Sequence, residues 1–196
     1  MFKSVLIYVY GWQIYKGAEL MRNYLKKLSV ICVLFLISGC VSIPDGVQPI
    51  QDFSLNRYLG KWYEVARLDH SFERGLTEVT ANYGLREDGG VRVINRGYSA
   101  EDKSWDEAEG KAYFVRESDE GYLKVSFFGP FYGSYIIFNL DKDYQYSFVA
   151  GPDTSYLWLL SRTPSVSEEI KAEFIRQASS LGFDTEALIF NVQRKQ

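Results

Sequence analysis

EVTANYGL, residues 78–85, alternates in character along its length: Val79, Ala81, Tyr83 and Leu85 fall on one side of an extended chain, and Glu78, Thr80 and Asn82 on the other. Side chains two apart share a face of a β-strand, so the pattern predicts a strand with one face in a core and one in water. REDGG, at 86–90, follows with the Asp and Gly that a tight hairpin needs for positive φ. Alternation then resumes. Val91 and Val93 share the inward face of 91–98; Ala108, Gly110, Ala112 and Phe114 that of 107–115; Leu123, Val125 and Phe127 that of 122–128. Lys111, Lys124 and Ser126 fall on the outer face.

Four more short segments complete the set, at 61–68, 133–140, 144–150 and 155–162, with NLDKDYQY (139–146) as a further turn. Eight strands at this spacing predict an all-β barrel or sandwich. One stretch breaks the pattern: SVSEEIKAEFIRQASSL (165–181) places Ile170, Phe174, Ile175 and Ala178 on one stripe. Ser167 suits the N-cap, Glu168 and Glu169 the first turn, and Gly182 the position past the end, so this is an amphipathic helix that must rest on the outside of the sheet. In 155–162 both faces are apolar. Tyr156, Trp158 and Leu160 then face inward, while Leu157 and Leu159 are expected against Ile170 and Phe174. ALIFNV (187–192) could add an edge strand.

The inward set mixes very small residues (Ala81, Ala108, Gly110, Ala112) with large aromatic ones (Tyr83, Phe127, Trp158). A closed eight-stranded barrel can hold one small ligand, and small residues would leave the room for it. A core in which the aromatic rings cover the small residues fits the same composition, and both readings stand at this point. Glu64 and Asn95, placed inward by the alternation, need polar partners inside.

The N-terminal region has its own pattern. Met21, Arg22, Lys26 and Lys27 precede an apolar run from Leu28 to Ile37, too short to span a bilayer and followed by Ser38-Gly39-Cys40, which reads as an export signal. Ile37-Ser38-Gly39-Cys40 resembles the bacterial lipobox, whose cysteine is acylated and becomes the mature N-terminus. This divides the chain into a possible non-native extension (1–20), a lipoprotein signal peptide (21–39), a lipidated Cys40 with a tether to residue 52, and one domain (53–196). Cys32 and Cys40 are the only cysteines, so the domain has no thiol for disulfides, thiol catalysis or Cys-type zinc. Residues 1–39 hold five of the 22 basic and one of the 25 acidic residues, which leaves 17 basic against 24 acidic beyond them, a net of −7. Such a surface argues against nucleic acid.

NRYLGKWYEVAR (56–67), with Gly60-Lys61-Trp62-Tyr63 at the start of the first strand, resembles the signature of the lipocalins; LDKDYQY and LWLLSRTP, with Arg162, resemble that family's second and third motifs. With the lipobox in front, the likeness is to the bacterial outer-membrane lipoprotein branch, relatives of apolipoprotein D. It implies an eight-stranded antiparallel up-and-down β-barrel with one C-terminal helix outside, in which Gly60, Trp62 and Arg162 are structural and the Arg162 guanidinium lies across the Trp62 indole. It also implies a carrier of a small hydrophobic ligand, of the fatty acid or lysophospholipid class, held in the outer membrane through Cys40, with a homodimer plausible. The candidate ligand contacts are Ala81, Val93, Ala108, Ala112, Val125, Phe127, Tyr135 and Trp158. Neither cofactor nor metal is expected. A structural or adhesion lipoprotein with a filled barrel is the alternative. An isomerase-type enzyme is a weaker one, because there is no nucleophile elbow and His70, the only histidine, is expected in a solvated loop at the entrance.

Overall fold

The computed structural model describes residues 41–193; the expected extension, signal peptide and Cys40 lie outside the described residues. Eight strands form in chain order: β1 (Gly60–Arg67), β2 (Leu76–Leu85), β3 (Val91–Ser99), β4 (Ser104–Phe114), β5 (Tyr122–Ser126), β6 (Gly133–Leu140), β7 (Tyr146–Ala150) and β8 (Leu157–Ser161). Each pairs antiparallel with the next, and β8 returns to β1, which also pairs with β2, so the sheet closes as an up-and-down barrel. A two-residue β9 (Ile189–Phe190) pairs with Ala66 and Arg67 of β1, above the point where β1 leaves β2. The expected edge strand is present but short.

Closure follows from side chains at one end. A one-turn helix α1 (Leu55–Tyr58) leads into Gly60, whose φ of +90° lets the chain turn sharply into β1. Trp62 then drops into the barrel end, fully buried, with its indole N–H donating to the Tyr58 carbonyl at 2.7 Å. The Arg162 guanidinium stacks 4.0 Å above the ring and donates to the carbonyls of Lys61 and Arg57, each at 2.8 Å. One planar cation thereby joins the start of β1, the end of β8 and α1.

Outside the barrel lies α2 (Glu168–Ser180), capped by the Ser167 hydroxyl accepting from the Ile170 N–H and followed by Gly182 at φ +83°. Phe174 and Ala178 are buried in one cluster with Leu157 and Leu159, Ile170 packs at its margin, and the Phe174 ring meets Phe148 at 5.0 Å. The two-sided apolarity of β8 has this cause.

Two readings change. Leu85 is 61% exposed, because β2 runs past the sealed end into the 86–90 hairpin, where no core remains to receive its face. The segment 41–52 is no free tether along its length. Val47 is buried in the helix-side cluster, the Ile50 N–H donates to the Ile137 carbonyl at 2.9 Å, and the Phe53 N–H donates to that of Asp119 at 2.7 Å. This strap runs down the outside of the barrel, from Ser42 at the rim to the sealed end.

Removing the plug should be costly. Trp62→Ala is expected to destabilise the protein by about 3–5 kcal/mol. Arg162→Ala should cost about 1–3 kcal/mol through the carbonyls it leaves unpaired. Urea unfolding of each variant measures both, and unchanged midpoints would contradict the role given to this end.

Candidate functional site

At the other end the barrel is open, and β1 decides what faces inward there. Glu64 pairs with Leu160 but Ala66 pairs with Leu159, so Val65 is an extra residue in a β-bulge. The bulge resets the alternation: Val65 and Ala66 join the helix-side cluster, whereas Glu64 and Arg67 are buried together within the barrel. Arg67 donates from Nη1 to Glu64 Oε1 at 2.7 Å and from Nη2 to the carbonyls of Glu73 and Leu76 at 2.9 and 3.1 Å. Those last two bonds draw the 68–75 loop into the mouth.

Glu73 is carried inward by that loop. It accepts from the Trp158 indole at 3.2 Å, and its Oε2 lies 3.4 Å from His70 Nε2. Asn191, directly after β9 in the same sheet, also donates to Glu64. Burial pushes the Glu64 carboxyl well above the ordinary carboxylate value, and the nearby Glu73 charge adds to the rise against the pull of Arg67. Glu73 is raised too, by burial, against the Trp158 bond and Arg67. One guanidinium faces two buried carboxyls, so the pair favours keeping a proton.

His70 is the clearest correction to the sequence reading. It is buried, not solvated, with its ring stacked on Phe72 at 4.1 Å and set 5.1 Å from Trp158. Burial, then the Arg67 charge, lowers its pKa to about 4, so the imidazole is neutral near pH 7.

The space enclosed by these groups is apolar. A cavity of about 100 Å³ within the barrel adjoins one of about 430 Å³ at the mouth, and the two share Phe72, Glu73, Val79, Asn95, Val125 and Phe127 as walls. The mouth cavity alone is within the size range of small-molecule sites. The floor is a tyrosine set: the Tyr135 hydroxyl lies 2.8 Å from those of Tyr58 and Tyr83, and Tyr58 bonds Ser147. Gly110 is required in the wall, since a Cβ there would sit 2.8 Å from both the Phe127 ring and the Ser126 carbonyl. Asn95 presents a buried Oδ1 with no hydrogen-bond partner among the described residues, an acceptor awaiting a donor.

Seven of the eight candidate contacts line the inner cavity: Ala81, Val93, Ala112, Val125, Phe127, Tyr135 and Trp158. Ala108 does not. It is exposed and borders only the mouth, because β5 ends at Ser126, opposite Lys111, and leaves the first half of β4 without a neighbour on that side. Ser126, expected outside, is buried beside the mouth cavity. Arg67, Glu73 and the buried state of His70 escaped the sequence reading. Two consecutive apolar residues after an inward Glu, Val65-Ala66, were the available sign of the bulge.

A lipocalin-like domain model matches residues 53–193. The chain belongs to the lipocalin-like family. It is 59% identical over 171 residues to an outer membrane lipoprotein Blc of Vibrio cholerae, covering 87% of this chain and all of the relative. Bovine apolipoprotein D is 36% identical over 130 residues, which cover 62% of this chain and 67% of that one. Among solved structures, insecticyanin from the tobacco hornworm shares the fold with a TM-score of 0.62 at 20% identity, covering 76% of this chain and 86% of that one. Lipocalins bind small hydrophobic ligands, and the motif residues Gly60, Trp62 and Arg162 stand here in the sealed end.

The buried ionisable groups give stability opposite pH dependences. His70 is neutral in both folded and unfolded chains above its ordinary value of 6.5; between 6.5 and about 4 only the unfolded chain takes the proton, so its contribution is lost as pH falls through that window. Glu64 and Glu73, raised above 4.5, contribute most below that value and lose it as pH rises through their folded values. Comparing melting temperatures of the native chain and His70→Gln isolates the first effect. The native chain's advantage should shrink from pH 7 to pH 4, and a constant difference would contradict the buried, neutral imidazole.

Proposed function

We propose that this chain binds one small amphiphile, a lysophospholipid or a fatty acid, with its acyl chain in the barrel and its polar end among Glu64, Glu73 and Asn95. The observation that carries this reading is the segregation of the site. Its walls are apolar from the tyrosine floor upward, and its polar groups gather in the half nearest the mouth. Ten buried methylenes contribute about 8 kcal/mol at about 0.8 each, a Kd near micromolar before the cost of association.

Of the two ligand classes, the charge balance favours lysophospholipid. A fatty acid carboxylate would meet two buried carboxyls sharing one guanidinium. A glycerol hydroxyl can instead donate to Asn95 Oδ1 or to a Glu73 oxygen. Cys40, acylated after removal of residues 21–39, would hold the domain on the outer membrane, which accords with the lipoprotein name of the Vibrio relative. The filled-barrel alternative is supported by Phe127 covering Gly110 and by the tyrosine set below.

Titrating lysophosphatidylethanolamine and palmitate into delipidated chain 41–196, followed by tryptophan fluorescence and melting temperature, separates the readings. Saturable binding is expected, about tenfold tighter for the lysophospholipid, with an upward melting shift. Ala112→Trp, checked for native circular dichroism, should weaken it at least about tenfold by filling the inner cavity. An absence of saturable binding by either ligand in the folded native chain would favour the filled barrel.

A further inference from the structure

An acyl chain bound for the tyrosine floor has to pass from the mouth cavity to the inner one, between the walls that the two share. Five of those walls are held by contacts of their own. Val125 pairs with Ala112 on one side and Gly133 on the other, Asn95 pairs with Ala81 and Ala108, and the buried Val79 accepts from Gln193 at its carbonyl. The Glu73 carboxyl accepts from the Trp158 indole and its carbonyl from Arg67, while the Phe72 ring is stacked on His70. The sixth wall is Phe127.

Neither sheet ladder reaches that residue. The last pair of β5 with β6 is Val125 with Gly133, and the last with β4 is Ser126 with Lys111, so Phe127 stands beyond both. Ser126 keeps a buried hydroxyl with no hydrogen-bond partner among the described residues, so its side chain does not pin the turn out of the strand either. What positions the Phe127 ring is a seat on glycine: two ring atoms lie 2.8 and 2.9 Å from where a Cβ of Gly110 would be. The ring is only partly buried there. On its other side the mouth cavity, about 430 Å³, has room to receive a phenyl ring turned into another staggered rotamer.

We infer that Phe127 is the gate of the shaft: seated on Gly110 it divides the interior into two cavities, displaced into the mouth it joins them, and its movement limits the entry of an acyl chain. This rests on the reading of the chain as a lipid carrier. It also accounts for the feature that favours a filled barrel, because the covered Gly110 becomes the closed position of a movable side chain. A gate and a wall differ in kinetics. Loss of a wall contact speeds exit alone and weakens binding, whereas loss of a gate speeds entry and exit together and leaves the affinity nearly as it was.

Stopped-flow tryptophan fluorescence of the delipidated protein tests it, with dodecanoyl lysophosphatidylethanolamine below its micelle concentration as the probe and Trp158 in the inner cavity as the reporter. In the native chain the observed rate should level off as ligand rises, because the ring must move before the chain can enter. Phe127→Ala should raise that level at least about tenfold and speed exit to match, so that Kd moves by less than about threefold. Phe127→Leu, which keeps an apolar side chain at the seat, should fall between the two and serves in its place if the alanine variant loses native circular dichroism. A native rate that climbs linearly with ligand, an unchanged level in the variants, or faster exit with unchanged entry overturns the gate and leaves the carrier standing. Absence of binding by native chain and variants alike overturns the carrier reading and the gate with it. Binding by the variants alone makes the ring a fixed plug and also overturns both.

Discussion

The stacking of the Arg162 guanidinium on the Trp62 indole is the contact on which the rest of the molecule depends. A sheet of eight strands has two edges until its last strand meets its first, and an unpaired edge invites association with other chains. Arg162 follows β8 and Trp62 lies in β1, so the pair fastens the seam, with the carbonyls of Lys61 and Arg57 as further ties. It also blocks one end. With that end sealed, the interior has a single direction of access, and every polar group of the site must be read relative to it.

At the open half, the fold accepts a cost that a simple core would avoid. Two carboxyls, one guanidinium and one imidazole are buried within the reach of a single loop. Replacing such a cluster with apolar side chains commonly leaves stability unchanged or improves it. Its retention makes sense as a device that shapes the cavity. Arg67 holds the loop through the carbonyls of Glu73 and Leu76, and the loop brings Glu73 to Trp158 and Phe72 to the rim. An amphiphile seated there would find an apolar shaft below and hydrogen-bonding groups above.

Much of this was legible in the sequence, for a physical reason that also explains what was not. Strand alternation is a local property, so 78–85, 91–98 and 107–115 disclosed their inward faces, and the stripe on 165–181 disclosed the helix and its target on β8. Alternation holds only while the count is unbroken. The bulge at Val65 shifts the count and brings Arg67 inside, and its one local sign, the apolar pair Val65-Ala66 after an inward Glu, is faint beside the regular alternation of the other strands. Ala108 failed differently: its face was assigned correctly, but burial needs a neighbouring strand, and β5 stops too soon. His70 and Glu73 belong to a loop, whose course is set by distant hydrogen bonds to Arg67 and Trp158. The strap at 41–52 was misjudged because prolines and a glycine describe a chain without repetitive structure, and such a chain can still be packed against a barrel.

The central claim is that an acyl chain descends past Phe127 toward the tyrosine floor while its polar end remains beside Asn95 and Glu73. The most direct measurement is a nuclear Overhauser experiment on the protein saturated with lysophospholipid labelled with ¹³C at its terminal methyl. The account predicts contacts from that methyl to the methyl groups of Ala112 and Leu123, deep in the barrel, and from the glycerol protons to the Asn95 side-chain amide. Contacts confined to Ala108 and Leu76 at the mouth, with none to Ala112, would contradict it.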